Sequence, residues 1–342
     1  MDKVDMEREE FRQRLEKFCR TQYGDDDAAV TKILDMPGHA GFSYGFTVAS
    51  RGRETSWYIR MPPPNTRWVG TADVMRQVEI LNALDDTDVP HCRVKWSGED
   101  PQWFGCPYFI VPLLKGDVLR LHDPENLTSK MTREQHLKLG EQIMKALVGI
   151  HKVDWQKKTP RLGPPIPLDE DVIRWDRFLE RCAEPERFRH AREVRQKLID
   201  KKPGDSPVGV FHGDYQVGNM FCSFEGNLLA VIDWELVGIG STLNDVGWVA
   251  TFSDAAAWSM EGIPRKMFLD PDTLVDLYRK HHGAPLPDIG WFRALAAYKF
   301  AIISGLNLSL HRRGKRPDPL WEDMRFSIDT LMARALALVD EV

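Results

Sequence analysis

The 342-residue chain carries 46 Lys and Arg against 51 Asp and Glu, a formal net charge of -5 at pH 7. That balance gives none of the basic face a nucleic-acid binder needs, and it is too small to argue for a cationic substrate. The length favours two domains or lobes around a large core, and 42% hydrophobic with 28% charged residues are ordinary for a globular protein.

The charged start of the chain reads as neither a signal nor a transit peptide, and no apolar run is expected to cross a membrane. Five scattered cysteines (Cys19, Cys92, Cys106, Cys182, Cys222) form no Cys-x-x-Cys pair and no zinc spacing with histidine. They read as reduced thiols of a cytoplasmic protein, buried as small hydrophobes.

In chain order, Phe11, Leu15, Phe18 and Cys19 fall at i, i+4, i+7 and i+8 and predict one face of a helix. From Met36 to Val48, three glycines among aromatic and β-branched residues predict two strands joined by a flexible turn. A strand is expected over 56–60, stopped by Pro62-Pro63-Pro64. Helical spacing over 71–84 sets Val74, Val78, Leu81 and Leu84 on one side, and another strand is expected over 108–114.

Past Gly116 helical patterns predominate, over 132–151, 169–201, 242–259, 271–282, 288–311 and 319–341, interrupted by one β section at 207–235. The Pro-rich piece 159–168 reads as an exposed loop, and no internal repeat or low-complexity tract occurs. The expected fold class is α+β in two lobes. Residues 1–114 would form a small β-rich lobe with a leading helix, and 115–342 a larger, mainly helical lobe linked near Leu113–Gly116.

The chemistry is concentrated in Val210-Phe211-His212-Gly213-Asp214-Tyr215-Gln216-Val217-Gly218-Asn219, followed by Val231-Ile232-Asp233-Trp234-Glu235. An Asp, an Asn five residues on and a second Asp after the next strand make a compact set of oxygen ligands. Mg²⁺ wants such hard ligands and takes only a few from protein, completing its shell with phosphate and water. Phosphoryl transfer needs little more than one carboxylate to orient the attacking hydroxyl and metal to neutralise charge between phosphates. An Asx turn between two strands is the competing explanation of Asp214 and Asn219, and the whole series in order weighs against it.

The series His-Gly-Asp-x-x-x-x-Asn followed by Ile-Asp-Trp-Glu resembles the signature of the aminoglycoside phosphotransferase and choline kinase family, which shares the protein kinase fold. Gly213 stands where protein kinases carry Arg. The stretch from Gly238 to Trp248 resembles that family's following segment, and the likeness is greatest to the phosphotransferase-like domains linked to acyl-CoA dehydrogenases.

The resemblance implies a protein kinase-like fold and a small-molecule kinase that moves the γ-phosphoryl of ATP (or GTP) onto a hydroxyl. Asp214 would be the catalytic carboxylate, and Asn219 and Asp233 would hold Mg²⁺. His212 would brace the catalytic loop and Asp245 would tie it to the next helix. Gly38, Gly41 and Ser43 sit where a phosphate-covering loop belongs, although any glycine-rich hairpin would look alike. Arg60 stands at the usual lysine position of the third strand and would contact phosphate, with Gln77, or Glu79 two residues on, at the position of its usual carboxylate brace. The segment 108–116 resembles the hinge that reads the nucleotide base, through the Pro112 carbonyl and the Leu114 N–H.

Trp175, Trp248, Phe252, Trp258, Trp291 and Tyr298 are candidates to line the site of a hydroxylated small-molecule acceptor, or else core aromatics. No nucleic acid or membrane partner is expected. Two other readings compete. A metallophosphoesterase also uses His-Gly-Asp but needs further His and Asp ligands for two metals, and no such set occurs here, where Met220 follows Gly218-Asn219. A kinase-shaped module that binds nucleotide without turnover would explain Gln77 and the loose glycine loop.

Overall fold

The computed structural model describes residues 3–36, 42–63, 66–121, 123–259 and 266–342. They form two compact units, one comprising the chain up to Thr87 with His91–Lys115 and Asp233–Val237, the other Asp88–Pro90, Gly116–Ile232 and Gly238–Val342.

The first unit opens with helix α1 (Lys3–Tyr23) and carries strands β1 (Ala29–Asp35), β2 (Phe42–Ser50) and β3 (Arg53–Met61). Helix α2 (Val74–Ala83) and strands β4 (Trp96–Gly98) and β5 (Tyr108–Pro112) follow. The five strands pair in the order β1-β2-β3-β5-β4, antiparallel throughout. Leu15, Phe18 and Cys19 of α1 pack on Phe46, Trp57, Ile59 and Ile110 of the sheet, as the helical spacing requires. Strand β3 is longer than expected because its inward alternation runs on to Met61 before the prolines stop it. Asp73 caps α2 by accepting from the Met75 N–H at 3.0 Å, and Val74, Val78, Leu81 and Leu84 are all buried. The turn between β1 and β2 falls outside the described residues.

The second unit contains α3 (Leu127–Lys130), α4 (Arg133–His151), α5 (Trp155–Lys158), α6 (Leu168–Ile173), α7 (Asp176–Leu179) and α8 (Ala191–Asp200). Beyond them come α9 (Leu243–Phe252), α10 (Pro271–His282), α11 (Ile289–Arg312), α12 (Leu320–Met324) and α13 (Phe326–Glu341). Strand β6 (Asp117–Val118) pairs with the hairpin β8 (Met220–Cys222) and β9 (Leu228–Val231), while β7 (Val208–Phe211) pairs with β10 (Gly238–Ser241). A capping box between Thr132 and Gln135 starts α4. Gly247 lets α9 approach α11, since a Cβ there would lie 2.4 Å from the Phe292 carbonyl oxygen.

The expected helix 242–259 ends at Phe252, and other expectations change as well. The helical run 169–201 is broken into α6, α7, a 3-10 turn at Pro185–Phe188 and α8, the break after α7 falling where Glu184 turns left-handed before Pro185. The piece 159–168 is only partly exposed: Thr159 and Leu162 are buried, and the Ile166 N–H donates to the Ile239 carbonyl at 2.8 Å. Helix α11 is long and apolar enough to cross a membrane by length and composition, contrary to the expectation that no run would be. Most of it is buried inside the helical unit, where it supplies core.

Candidate active site

Strand β7 delivers His212-Gly213-Asp214 into a loop that α9 anchors. The buried Asp245 carboxylate accepts from the His212 N–H at 2.7 Å and the Gly213 N–H at 2.9 Å. His151 of α4 meets the same carboxylate at 3.2 Å and the Tyr278 hydroxyl at 2.8 Å. Burial holds the His151 pKa below its ordinary value, although Asp245 opposes the shift. Gly213 has φ +89°, a conformation that strains an L side chain, which accounts for glycine at this position. The His212 ring accepts the Asp214 N–H at Nδ1, 3.2 Å, and donates from Nε2 to the Ile232 carbonyl, 2.9 Å, a pattern that fixes its tautomer.

Both oxygens of Asp214 are held. Asn219 Nδ2 donates to Oδ2 at 2.9 Å and to the Asp214 carbonyl at 2.8 Å, and the Trp248 indole N–H donates to Oδ1 at 2.8 Å. Asn219 thus turns its nitrogen to Asp214, while its Oδ1 accepts no hydrogen bond among the described residues. Its main chain is fixed as well, by donation to Gln216 and acceptance from Ile232.

The residue after Ile232, Asp233, belongs to the β-rich unit and takes φ +64°, ψ +63°. Its Oδ1 is buried without a hydrogen-bond partner. The Arg60 guanidinium lies 3.8 Å from Asp233 and donates to Glu235 at 2.8 Å. Burial pulls the Arg60 pKa down, but Tyr58, Asp233 and Glu235 outweigh it and hold the guanidinium above its usual value. The carboxylate brace is therefore Glu235, not Gln77 or Glu79. Gln77 is buried with its amide nitrogen unpartnered, and Glu79 lies beside Arg76. Sequence reading passed over Glu235 because 175 positions separate it from Arg60, though it stands inside the quoted Ile-Asp-Trp-Glu.

Ser43 is buried directly opposite Arg60 in the β2–β3 pairing, and Gly38 and Gly41 lie outside the described residues. Pro112 is exposed at the end of β5, and the Leu114 N–H meets no acceptor among the described residues. Of the aromatic candidates, Trp248, Phe252 and Trp258 cluster with Phe300, ring centroids 4.9–5.8 Å apart. Trp291 is core, its indole donating to the Leu198 carbonyl at 2.9 Å. Tyr298 is buried with an unpartnered hydroxyl, and the Trp175 indole nitrogen is likewise buried and unpartnered. The five cysteines are free, and burial pushes Cys92 up to about 11 and Cys19, Cys182 and Cys222 up to about 12.

Among the described residues no group of three or more His, Cys, Asp or Glu could hold a metal ion. The two-metal site of a phosphoesterase has no counterpart there. Asn219 Oδ1 in the helical unit and Asp233 Oδ1 in the β-rich unit each lack a hydrogen-bond donor among the described residues, and each is the kind of hard oxygen that Mg²⁺ takes.

The β-rich first unit and mainly helical second unit are those of a kinase-like phosphotransferase. The chain belongs to the phosphotransferase enzyme family, whose model (APH) matches residues 43–265, more than half of the chain. It is 24% identical over 292 residues to the "Probable acyl-CoA dehydrogenase IBR3" of Arabidopsis thaliana, covering 76% of this chain and 35% of that protein. It is 22% identical over 330 residues to mouse (Mus musculus) acyl-CoA dehydrogenase family member 11, covering 92% of this chain and 40% of that protein. The chain thus spans about two fifths or less of these relatives' lengths.

Among solved structures, a "putative aminoglycoside phosphotransferase" from Ralstonia eutropha matches with TM-score 0.78 at 19% identity, over 96% of this chain and 98% of that one. A thermostable mutant of aminoglycoside phosphotransferase APH(4)-Ia, in ternary complex with ADP and hygromycin B, gives 0.60 at 12% identity, over 95% and 97%. A Plasmodium vivax ethanolamine kinase gives 0.60 at 15% identity, over 95% and 88%. At these identities the likenesses establish the fold.

Proposed function

We propose that the protein is a small-molecule kinase, moving the γ-phosphoryl of ATP or GTP onto a hydroxyl of a small acceptor with Mg²⁺. The observation that carries this reading is the fixed Asp214 carboxylate, gripped at one oxygen by Asn219 and at the other by Trp248. A carboxylate held in this way is pre-oriented to take a proton from an attacking hydroxyl. As that oxygen bonds to phosphorus, the bond to the bridging oxygen breaks and the nucleoside diphosphate leaves. Asn219 Oδ1 and the Asp233 carboxylate would hold Mg²⁺, which when bound neutralises charge between the phosphates. Arg60, its orientation set by Glu235, binds a phosphate oxygen through its free N–H groups. Ser43 belongs to the same phosphate face, with Gly38 and Gly41 as covering loop, and the Pro112 carbonyl and Leu114 N–H read the base. The complexes of APH(4)-Ia with ADP and hygromycin B support nucleotide and small-molecule binding by a relative of this fold.

Calorimetric titration of ATP and of GTP, with and without Mg²⁺, tests the reading. Metal-dependent binding is expected, retained in Asp214→Ala and reduced in Asp233→Ala, with phosphoryl transfer abolished in Asp214→Ala. Near-normal transfer by Asp214→Ala would remove Asp214 from the mechanism. Nucleotide binding without transfer to any hydroxylated acceptor would favour the non-catalytic module, which the unpartnered Gln77 also suits.

A further inference from the structure

The helical unit buries an ion pair that the proposed chemistry does not use. Lys299 of α11 places Nζ 2.5 Å from Asp171 Oδ2 of α6, and both side chains are less than one-tenth exposed. Desolvation offsets most of the attraction in such a pair, so stability alone is a weak reason to keep it. Arg174 reaches the other Asp171 oxygen at 2.5 Å, and Asn244, at the start of α9, donates its amide N–H to Asp171 Oδ2 at 3.0 Å. That bond decides which way the Asn244 amide points. Its Oδ1 is then buried with no donor. The Trp175 ring lies 6.0 Å from the Lys299 ammonium, and its indole N–H is buried with no acceptor. Native proteins seldom leave a donor and an acceptor unpaired around one ion pair.

The position of these atoms ties them to Asp214. Asn244 and Trp248 are four residues apart on α9 and share a face, about 6 Å apart along the axis. Trp248 is the residue that donates to Asp214. Lys299 is followed on α11 by Phe300, whose ring packs 5.8 Å from that of Trp248.

We propose that Asn244 Oδ1 and the Trp175 indole N–H, held in place by the Asp171–Lys299 pair, read the acceptor through a neutral group that donates and accepts at once. That group is an amide or a second hydroxyl, carried roughly one helical turn from the hydroxyl that Asp214 orients. A carboxylate could take the Trp175 proton but has none for Asn244, and an ammonium would face Lys299 with nothing for Trp175. The inference rests on the role of Asp214 given above.

The test is titration of protein labelled with ¹⁵N in its indole groups, the Trp175 cross-peak being assigned by its loss in Trp175→Phe. The probes are N-methylacetamide, 1,2-ethanediol and 1,2-dimethoxyethane, the last of which accepts but cannot donate. Saturable displacement of the Trp175 peak by the first two and not by the third is expected. At least fivefold weaker binding of N-methylacetamide is expected in Asn244→Ala, with the other indole peaks unmoved. No saturable displacement in the wild-type protein, or equal displacement by the diether, overturns the proposal and assigns the two atoms to ordered water. A Mg²⁺-ATP titration of the same sample separates the failures. Nucleotide binding without a probe response sinks this inference alone, and absence of nucleotide binding sinks the parent reading with it.

Discussion

Asp245→Ala removes the acceptor that holds the main chain of the His212–Asp214 loop. The wild-type carboxylate accepts from two main-chain N–H groups, of His212 and Gly213, and contacts the His151 ring. Hydrogen bonds to a charged acceptor contribute about 1.5–3 kcal/mol each, and a donor left buried keeps its full desolvation cost. His212 is fully buried, so its N–H stands at the upper end of that range, whereas Gly213 is half-buried and the contact with neutral His151 is weaker. Some of the loss is offset because the variant no longer buries a carboxylate charge. The net effect is a destabilisation of about 3–5 kcal/mol, with Asp245→Asn, which keeps one acceptor oxygen, at roughly half. Urea unfolding followed by tryptophan fluorescence measures it as a lower midpoint at unchanged slope. An Asp245→Ala protein within about 1 kcal/mol of wild type would refute the view that this carboxylate supports the loop.

Glu235→Ala removes the 2.8 Å partner of a largely buried Arg60. It should cost about 2 kcal/mol of stability and weaken ATP binding in calorimetry, though less than Arg60→Ala; unchanged ATP affinity in both variants would return this pair to a structural role. His151 has a folded pKa below its unfolded one, so its contribution is fully present above the unfolded value and is lost as pH falls through the folded value. The melting temperature should therefore fall on acidification below about pH 6.5, and a smaller fall is expected in His151→Gln. Asp233→Gly should weaken metal-dependent nucleotide binding while leaving the urea midpoint equal to wild type or higher; a clear loss of stability would contradict this.

Much of the fold was legible wherever apolar spacing and local capping agree. Val74, Val78, Leu81 and Leu84 of α2 are the clearest case, with an Asp cap just ahead of them and a buried face beneath. The 169–201 run misled because apolar spacing continues across a chain that Glu184 and Pro185 redirect, and periodicity alone cannot see a left-handed residue. Within the site, His212, Asp214 and Asn219 were readable because they fall in one short motif, and Asp245 because it stands in the segment from Gly238 to Trp248 that follows it. The pairing of Arg60 with Glu235 and of Asp214 with Trp248 was not, since these partners stand 175 and 34 positions away. No local pattern announces a hydrogen bond of that separation. The Asp171–Lys299 pair was equally invisible, since a lysine in the apolar α11 reads as a surface residue until the helix is known to be buried.

At Asp233 the fold keeps a residue that its own stability does not favour. A non-glycine residue at φ +64° costs about 1–2 kcal/mol, less for Asp than for most because its short side chain can bond locally. Here that compensation is absent at Oδ1, which is buried and accepts nothing. The nearest cation does not repair the loss, because Arg60 stands 3.8 Å away and turns its short bond to Glu235 instead. Glycine would take the same backbone angles without strain and would remove the unpaired oxygen, at an entropic cost of about 0.5–1 kcal/mol. The terms nearly cancel or favour glycine, so stability does not explain an aspartate at this position. A ligand that used the oxygen would supply the missing compensation, and in the proposed reaction that ligand would be the hard cation.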